Sequence, residues 1–161
     1  MDLGVQMLDL CLWLLSNYEV QRVSGLAHRQ MISSKVEDTI TAYLTLKNNI
    51  AFSLDVSWAI PSTRTEAFTH FYGTEGMATL NPLRLTKITS NEAYEVATRQ
   101  SFSPGQLYQM SFEKELGHFI QCVRNNTPPQ SSGEEALRIM EIIETFYRSV
   151  DEGREIIAAS S

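Results

Sequence analysis

The stretch TITAYLTLKNNIAFSLDVSW, residues 39–58, decides the fold. Over residues 39–46 the apolar Ile40, Ala42, Leu44 and Leu46 alternate with Thr39, Thr41, Tyr43 and Thr45. That period of two belongs to a strand with one buried face. Lys47-Asn48-Asn49 supplies a turn, because asparagine tolerates the left-handed backbone that tight hairpins need. Ile50, Phe52, Leu54, Val56 and Trp58 then repeat the alternation and are assigned to the core side. Two such strands joined by so short a turn must run antiparallel.

Weaker signals continue the pattern on both sides. Val20, Val23 and Leu26 mark a strand over about 19–29, ahead of the hairpin. After the polar loop Pro61–Thr65 come AFTHFYG and MATLN, joined across Gly73-Thr74-Glu75-Gly76, and two fainter strands at 83–89 and 93–99. Helical periodicity frames these strands. Residues 3–15 are rich in Leu and Met and stop at Ser16-Asn17. From about 106 to 124, Leu107, Met110, Leu116, Phe119, Ile120 and Val123 form one broad apolar stripe. A break containing Pro128-Pro129 leads into a last helix over about 133–152. Leu137, Met140, Ile143, Phe146, Tyr147 and Val150 are its expected apolar face, and Gly153 suits its C-terminal cap. A helix, a run of hairpin-linked strands and two closing helices predict an α+β fold: an open, largely antiparallel (mixed) sheet of about six strands with helices packed on one face. At 161 residues the chain is read as a single domain. The other sheet face, with Thr41, Tyr43 and Thr45 beside Ser53, Asp55 and Ser57, is expected to meet solvent or a second subunit.

Bulk chemistry narrows the function. The net charge of −6 and the lack of any basic run give no electrostatic footprint for nucleic acid. The first fifteen residues are apolar but interrupted by Asp9, too short to span a bilayer, and without a basic n-region; no membrane role is expected. Cys11 and Cys122 each lie in a helical apolar pattern and read as small core hydrophobes, which makes the cytoplasm the default location. The sequon Asn125-Asn126-Thr127 is followed by Pro128 and reads as incidental. His28, His70 and His118 are isolated, so no metal-ligand spacing exists, and no serine or cysteine has an evident base. Tyr108, Lys114 and Glu115 either reach a polyol or form a solvated face; Arg64-Thr65-Glu66 either close on a substrate or meet a neighbouring subunit.

The most unusual chemistry sits in the first helix. At about 100° per residue, Asp2, Gln6, Asp9 and Trp13 fall within one stripe about 60° wide, in a segment otherwise made of Leu, Val, Met and Cys. A helix apolar around most of its girth is expected to be buried. Its polar stripe then faces either hydrogen-bond partners or a cavity, since an unpartnered buried carboxylate costs several kcal/mol. On the first alternative Asp2 caps the helix and Asp9 is a buried partner for an arginine or a backbone N–H.

The same residues resemble a family. Asp2, Gly4, Gln6, Asp9 and Trp13 match D-x-G-x-H-x-x-D-x-x-x-W except at Gln6, and that pattern marks the substrate-domain entry helix of the Gfo/Idh/MocA oxidoreductases, the superfamily of glucose–fructose oxidoreductase and inositol dehydrogenase. The likeness continues through VEDTITAYLTLKNNIAFSLDVSW, FYGTEGMATLNP, the F-x-x-E-L-x-x-F helix and EEALR, and so covers nearly the whole chain in the family's order. It implies the C-terminal, substrate-binding and oligomerisation domain of an NAD(P)-dependent dehydrogenase acting on a sugar, polyol or related hydroxy compound. The dinucleotide-binding Rossmann domain would lie outside this chain, which has no G-x-G-x-x-G and no Glu-Lys-Pro segment. The fragment alone is then expected to hold neither NAD nor NADP and to be inactive. A homo-oligomer, dimer or larger, through the open sheet face is also implied.

By the same resemblance, Asp2 and the position of Gln6 are catalytic and substrate-facing, and Asp9, one turn deeper, is a substrate-binding candidate. The family's histidine is a plausible general base, because its pKa lies near neutrality. Gln6 can only donate and accept hydrogen bonds. Three readings stay open: a lysine of the absent domain takes the proton while Gln6 orients the substrate; Asp2 or Asp9 is the base; or catalysis is lost and a ligand-binding or oligomerisation module remains.

Overall fold

The computed structural model describes residues 2–29, 36–61, 63, 66–90, 92–97 and 102–158, with only the backbone of Asp2 and Pro104. Arg64 and Thr65 therefore lie outside the described residues. The chain divides into two compact units, residues 1–61 with 128–161, and residues 62–127.

The first unit is built on the hairpin. Strands β1 (Val20–His28), β2 (Thr39–Leu46) and β3 (Ile50–Ser57) pair antiparallel in chain order, and β2 and β3 match residue for residue from Thr39–Ser57 to Leu46–Ile50. Asn48 and Asn49 take positive φ of 66° and 59°, the left-handed turn that their side chains tolerate. Ile40, Ala42, Leu44, Leu46 and Leu54 are buried, whereas Thr41, Tyr43, Ser53 and Asp55 are exposed, so the alternation read from sequence is the alternation of the sheet. Helices α1 (Asp2–Leu15) and α3 (Gly133–Glu152) cover the buried face: Leu8 and Leu12 of α1 and Ile139, Ile142, Ile143 and Phe146 of α3 share one core with the strands. Gly25 is where α3 comes closest. A Cβ there would lie 2.4 Å from the Phe146 ring, so the glycine lets the ring lie against the strand backbone. Ser149, fully buried, ties the helix end down: its hydroxyl accepts from Gly25 N–H at 3.0 Å and donates to the Arg154 carbonyl at 2.7 Å. Gly153 caps α3 with φ of 63°.

Three expectations for this unit change. Strand β3 ends at Ser57, and Trp58 leaves the core side to stand 58% exposed. Its N–H still donates to the Asp38 carbonyl at 2.9 Å, one pair beyond Thr39–Ser57 in the same register, but on β3 the core reaches only as far as Val56. On α3, Leu137 and Met140 are exposed and the buried stripe is Ile139, Ile142, Ile143, Phe146 and Ser149. At about 100° per residue, Leu137 and Met140 lie more than 100° from the centre of that stripe. A last strand, β8 (Ile156–Ile157), pairs antiparallel with Arg22–Val23 and was not expected.

The second unit holds β4 (Thr69–Gly73), β5 (Gly76–Leu80), β6 (Arg84–Thr89) and β7 (Glu92–Val96), an antiparallel meander in chain order, and helix α2 (Pro104–Asn125). Ser103 and Gln106 close a capping box at the start of α2, and Asn126 closes its end with φ of 51°. The expected stripe of α2 is present but uncovered: Leu107, Leu116, Phe119, Ile120 and Val123 are all exposed, with Leu116 at 61%. Of its apolar residues only Cys122 is buried, with Sγ 3.5 Å from Nε2 of His118. The fold is α+β, as expected, and the described residues hold eight strands in two antiparallel four-stranded sheets where about six in one were expected.

Candidate functional site

The exposed edge of α1 carries the polar side chains of that helix. Gly4, Leu8, Cys11 and Leu12 form its buried back, which fixes the helix on the core and turns the opposite side outward. Gln6, Asp9 and Trp13 emerge together on that outward side, on the single stripe their spacing requires. Asp2 lies in the first turn of the helix, and its side chain is outside the described residues. Asp9 is not the buried partner of an arginine or a backbone N–H. It is exposed, and Tyr18 donates to its Oδ1 at 3.5 Å. The reason is the turn after α1: Ser16 adopts φ of 49°, and the chain folds back to bring Tyr18 beside Asp9. The Gln6 side chain is exposed and makes no hydrogen bond among the described residues.

Below Asp9 the edge opens into a hollow of about 430 Å³ lined by Trp13, Leu14, Ser16, Tyr18, Gln130 and Glu135. Glu135 is held by the capping box of α3. Its backbone N–H donates to Ser132 Oγ at 3.2 Å, and its carboxylate accepts from the Ser132 N–H at 3.3 Å. Burial first, then the charges of Glu135 and Asp9, push the Tyr18 hydroxyl above its ordinary value, so Tyr18 stays a neutral donor through the physiological range. The hollow thus combines the rings of Trp13 and Tyr18 with one carboxylate, Glu135, and one amide, Gln130.

The spacing puts Gln6, Asp9 and Trp13 on one stripe, with core packing expected for Trp13, which stands 43% exposed instead; Tyr18, Gln130 and Glu135 carry no such signal of position. The S-x-x-E capping signature at Ser132 was a visible signal for a fixed Glu135; the approach of Tyr18 to Asp9 depends on a turn that no periodicity encodes. Tyr108, Lys114 and Glu115 stand exposed on α2 in the other unit, with Tyr108 packed edge-on to Phe112 at 4.9 Å. No group of three or more His, Cys, Asp or Glu able to hold a metal occurs among the described residues. All strand pairs among the described residues are antiparallel, so those residues contain no parallel βαβ unit.

The first unit is thus an antiparallel sheet with helices on one face and the polar edge of α1 facing outward. The profile of the oxidoreductase family, C-terminal alpha/beta domain, matches residues 1–157, and the chain belongs to that family, the Gfo/Idh/MocA oxidoreductases. D-apiose dehydrogenase of Paraburkholderia graminis is 27% identical over 164 aligned positions, covering 96% of this chain and 43% of that protein. An oxidoreductase from Agrobacterium radiobacter, solved with NAD+, L-tartaric acid and magnesium, shares the fold with a TM-score of 0.78 at 24% identity, over 97% of this chain and 48% of that one. Aldose-aldose oxidoreductase from Caulobacter crescentus, solved with glycerol, gives 0.74 at 16% identity, over 96% and 45%. The chain therefore spans less than half the length of these relatives.

Proposed function

We propose that this chain is the substrate-binding domain of an NAD(P)-dependent dehydrogenase, joined in the complete protein to a dinucleotide-binding domain. Its substrate is a sugar, polyol or related hydroxy compound, and hydride passes between a carbinol carbon and the nicotinamide of NAD or NADP. The observation that carries the reading is the outward edge of α1, where Gln6 and Asp9 project on one stripe from a helix whose opposite side is locked into the core. Asp2 and Gln6 stand at the catalytic end and Asp9 lines the substrate. Gln6 orients the substrate oxygen through its amide, and a base of the other domain takes the proton, because an amide does not exchange a proton near neutral pH. The domain works in the cytoplasm and, alone, turns over nothing.

The second reading, a non-catalytic ligand-binding or oligomerisation module, is favoured by one observation: glutamine at the family's histidine position. A screen of sugars and polyols on the complete protein with NAD+ and NADP+ separates the two. The enzyme reading expects reduced nicotinamide with at least one substrate, and a change in the pH–rate profile in Gln6→His. No turnover by either variant, with intact substrate binding, supports the module. Tight binding of NAD(H) or NADP(H) by residues 1–161 alone would contradict the assignment of the cofactor to another domain.

The open face of the first sheet supports self-association. Thr41 donates to Asp55 at 2.7 Å, the Thr39 and Ser57 hydroxyls pair at 2.8 Å, and Tyr43 is exposed among them: an ordered, flat polar surface suited to a second copy. Sedimentation of the complete protein at tens of micromolar is expected to give a dimer or larger species; a monomer only would remove this part of the proposal.

A further inference from the structure

A second polar contact lies at the end of the first unit where α1 begins. Asn17, just past α1, donates from Nδ2 to the Lys47 carbonyl at 3.2 Å, beside the end of β2. Halfway along the helix, Leu8 lines the same part of the core as Ala42 and Leu44, in the middle of that strand. The 14 residues of α1 run about 21 Å and the 8 of β2 about 26 Å. The Asp2 end of α1 is therefore level with the start of β2, with Gln6 just inside it. Helix α3 runs the opposite way. Its Glu135 shares the hollow with Trp13 and Leu14, and its Ile142, Ile143 and Phe146 share the core with Leu8. Tyr147 lies about 18 Å along α3 from Glu135, which brings it level with the first turns of α1.

At that end the Tyr147 hydroxyl donates to the Glu37 carboxylate, two residues before β2, at 2.6 Å. The bond is of the strong, charge-assisted kind and joins residues 110 positions apart. Backbone bonds fix the neighbour of Glu37: Asp38 N–H donates to the His28 carbonyl and the Asp38 carbonyl accepts from Trp58 N–H, both at 2.9 Å. Glu37 is thus anchored to the sheet through its own chain and to α3 through its side chain. Arg29, just past β1, is near enough for its charge to act on the same hydroxyl. The core does not need this tie. Leu8, Leu12, Val23 and Phe146 fill it, and Ser149 already fastens α3 to β1.

We propose that Tyr147 and Glu37 are positioning residues for the catalytic end of α1, holding α3 and the lead-in to β2 around its first turns so that Asp2 and Gln6 keep one placement. The inference rests on the dehydrogenase reading for what those two residues do, and on the fold alone for where they stand.

Amide hydrogen exchange and kinetics on the complete protein test it. Tyr147→Phe and Glu37→Ala are each expected to raise exchange about tenfold in residues 3–9 and to leave residues 10–15 at the parental rate. The double variant should match either single one, because the two side chains form one contact. Glu37→Gln, whose amide oxygen still accepts from Tyr147, should keep most of the protection. On the sugar or polyol that the screen above turns over, Tyr147→Phe and Glu37→Ala should lose about tenfold in kcat while KM stays within about twofold. Ser149→Ala is the control: it loosens the same half of α3 and lowers Tm, but should leave kcat at the parental value. Exchange unchanged, or raised evenly along α1, overturns the proposal. So does a kcat loss that Ser149→Ala equals, or parental kcat in both variants of an active enzyme. Should even the parent turn over nothing, exchange raised in residues 3–9 alone upholds the tie and removes the dehydrogenase.

Discussion

The two units carry similar chemistry to different ends. Residues 1–61 with 128–161 bury Leu8, Leu12, Val23, Leu44, Leu46 and Phe146 almost completely, and two helices close one face of their sheet. In residues 62–127 the single buried apolar side chain among the described residues is Cys122, while α2 leaves Leu116, Phe119 and Val123 exposed. Both units have well-capped helices and antiparallel strands, so local structure is not what separates them. Burial is. The first unit satisfies its own hydrophobic surface and can hold a side chain such as Gln6 or Glu135 in place; the second has regular structure with its apolar stripe uncovered. A rigid core under a polar edge is what a binding site requires.

Substitutions sharpen that contrast. Leu12→Ala and Phe146→Ala, both at fully buried sites, should each cost about 3–5 kcal/mol by urea unfolding. Leu116→Ala on α2 should change stability by no more than about 0.5 kcal/mol. Comparable losses in both units would break the comparison. Glycines give a second pair. Gly25→Ala puts a methyl group into the Phe146 ring and should cost about 1–3 kcal/mol, whereas a Cβ at Gly117, in α2, meets nothing within 4 Å. Gly117→Ala should therefore stabilise by about 0.5–1 kcal/mol through helix propensity alone. Ser149→Ala, which loses both hydrogen bonds of the clip between α3 and β1, should cost about 1–3 kcal/mol.

A pH dependence sharpens the first unit further. Burial first, then its 2.6 Å hydrogen bond to Glu37 and that residue's charge, push the Tyr147 hydroxyl up to about 12. A raised pKa means that the folded state holds the proton more tightly than the unfolded chain. The associated stability is complete below pH 10 and is lost as pH rises through 12. Tyr147→Phe should be less stable than the parent near neutrality and should lose less stability between pH 10 and 12. Identical alkaline slopes for the two proteins would contradict the contact.

Much of this was legible where the determining interaction is local. The hairpin 39–57 could be read residue by residue because alternation and the Asn48-Asn49 turn are encoded in adjacent positions, and the ends of α3 because Ser132 and Gly153 are local signals. Trp58 keeps the register of the hairpin, but alternation does not say where the covering core ends, and on β3 it ends at Val56. β8 is two residues long and exists through its pairing with Arg22 and Val23, below the reach of any periodicity. The stripe of α2 was readable, but a stripe does not say whether anything covers it. At the candidate site the spacing of Gln6, Asp9 and Trp13 sufficed to place them on one edge. The hollow beside them joins α1 to the start of α3 across more than a hundred residues, and no local signal carries that.

If the edge of α1 is a substrate wall, Gln6→Ala in the complete protein removes one of its contacts and tests it most directly. Gln6 is exposed and supports no packing, so the variant should melt at the parental Tm while kcat/KM falls about tenfold or more, the effect of one lost transition-state hydrogen bond. Parental kcat/KM at parental Tm would contradict it.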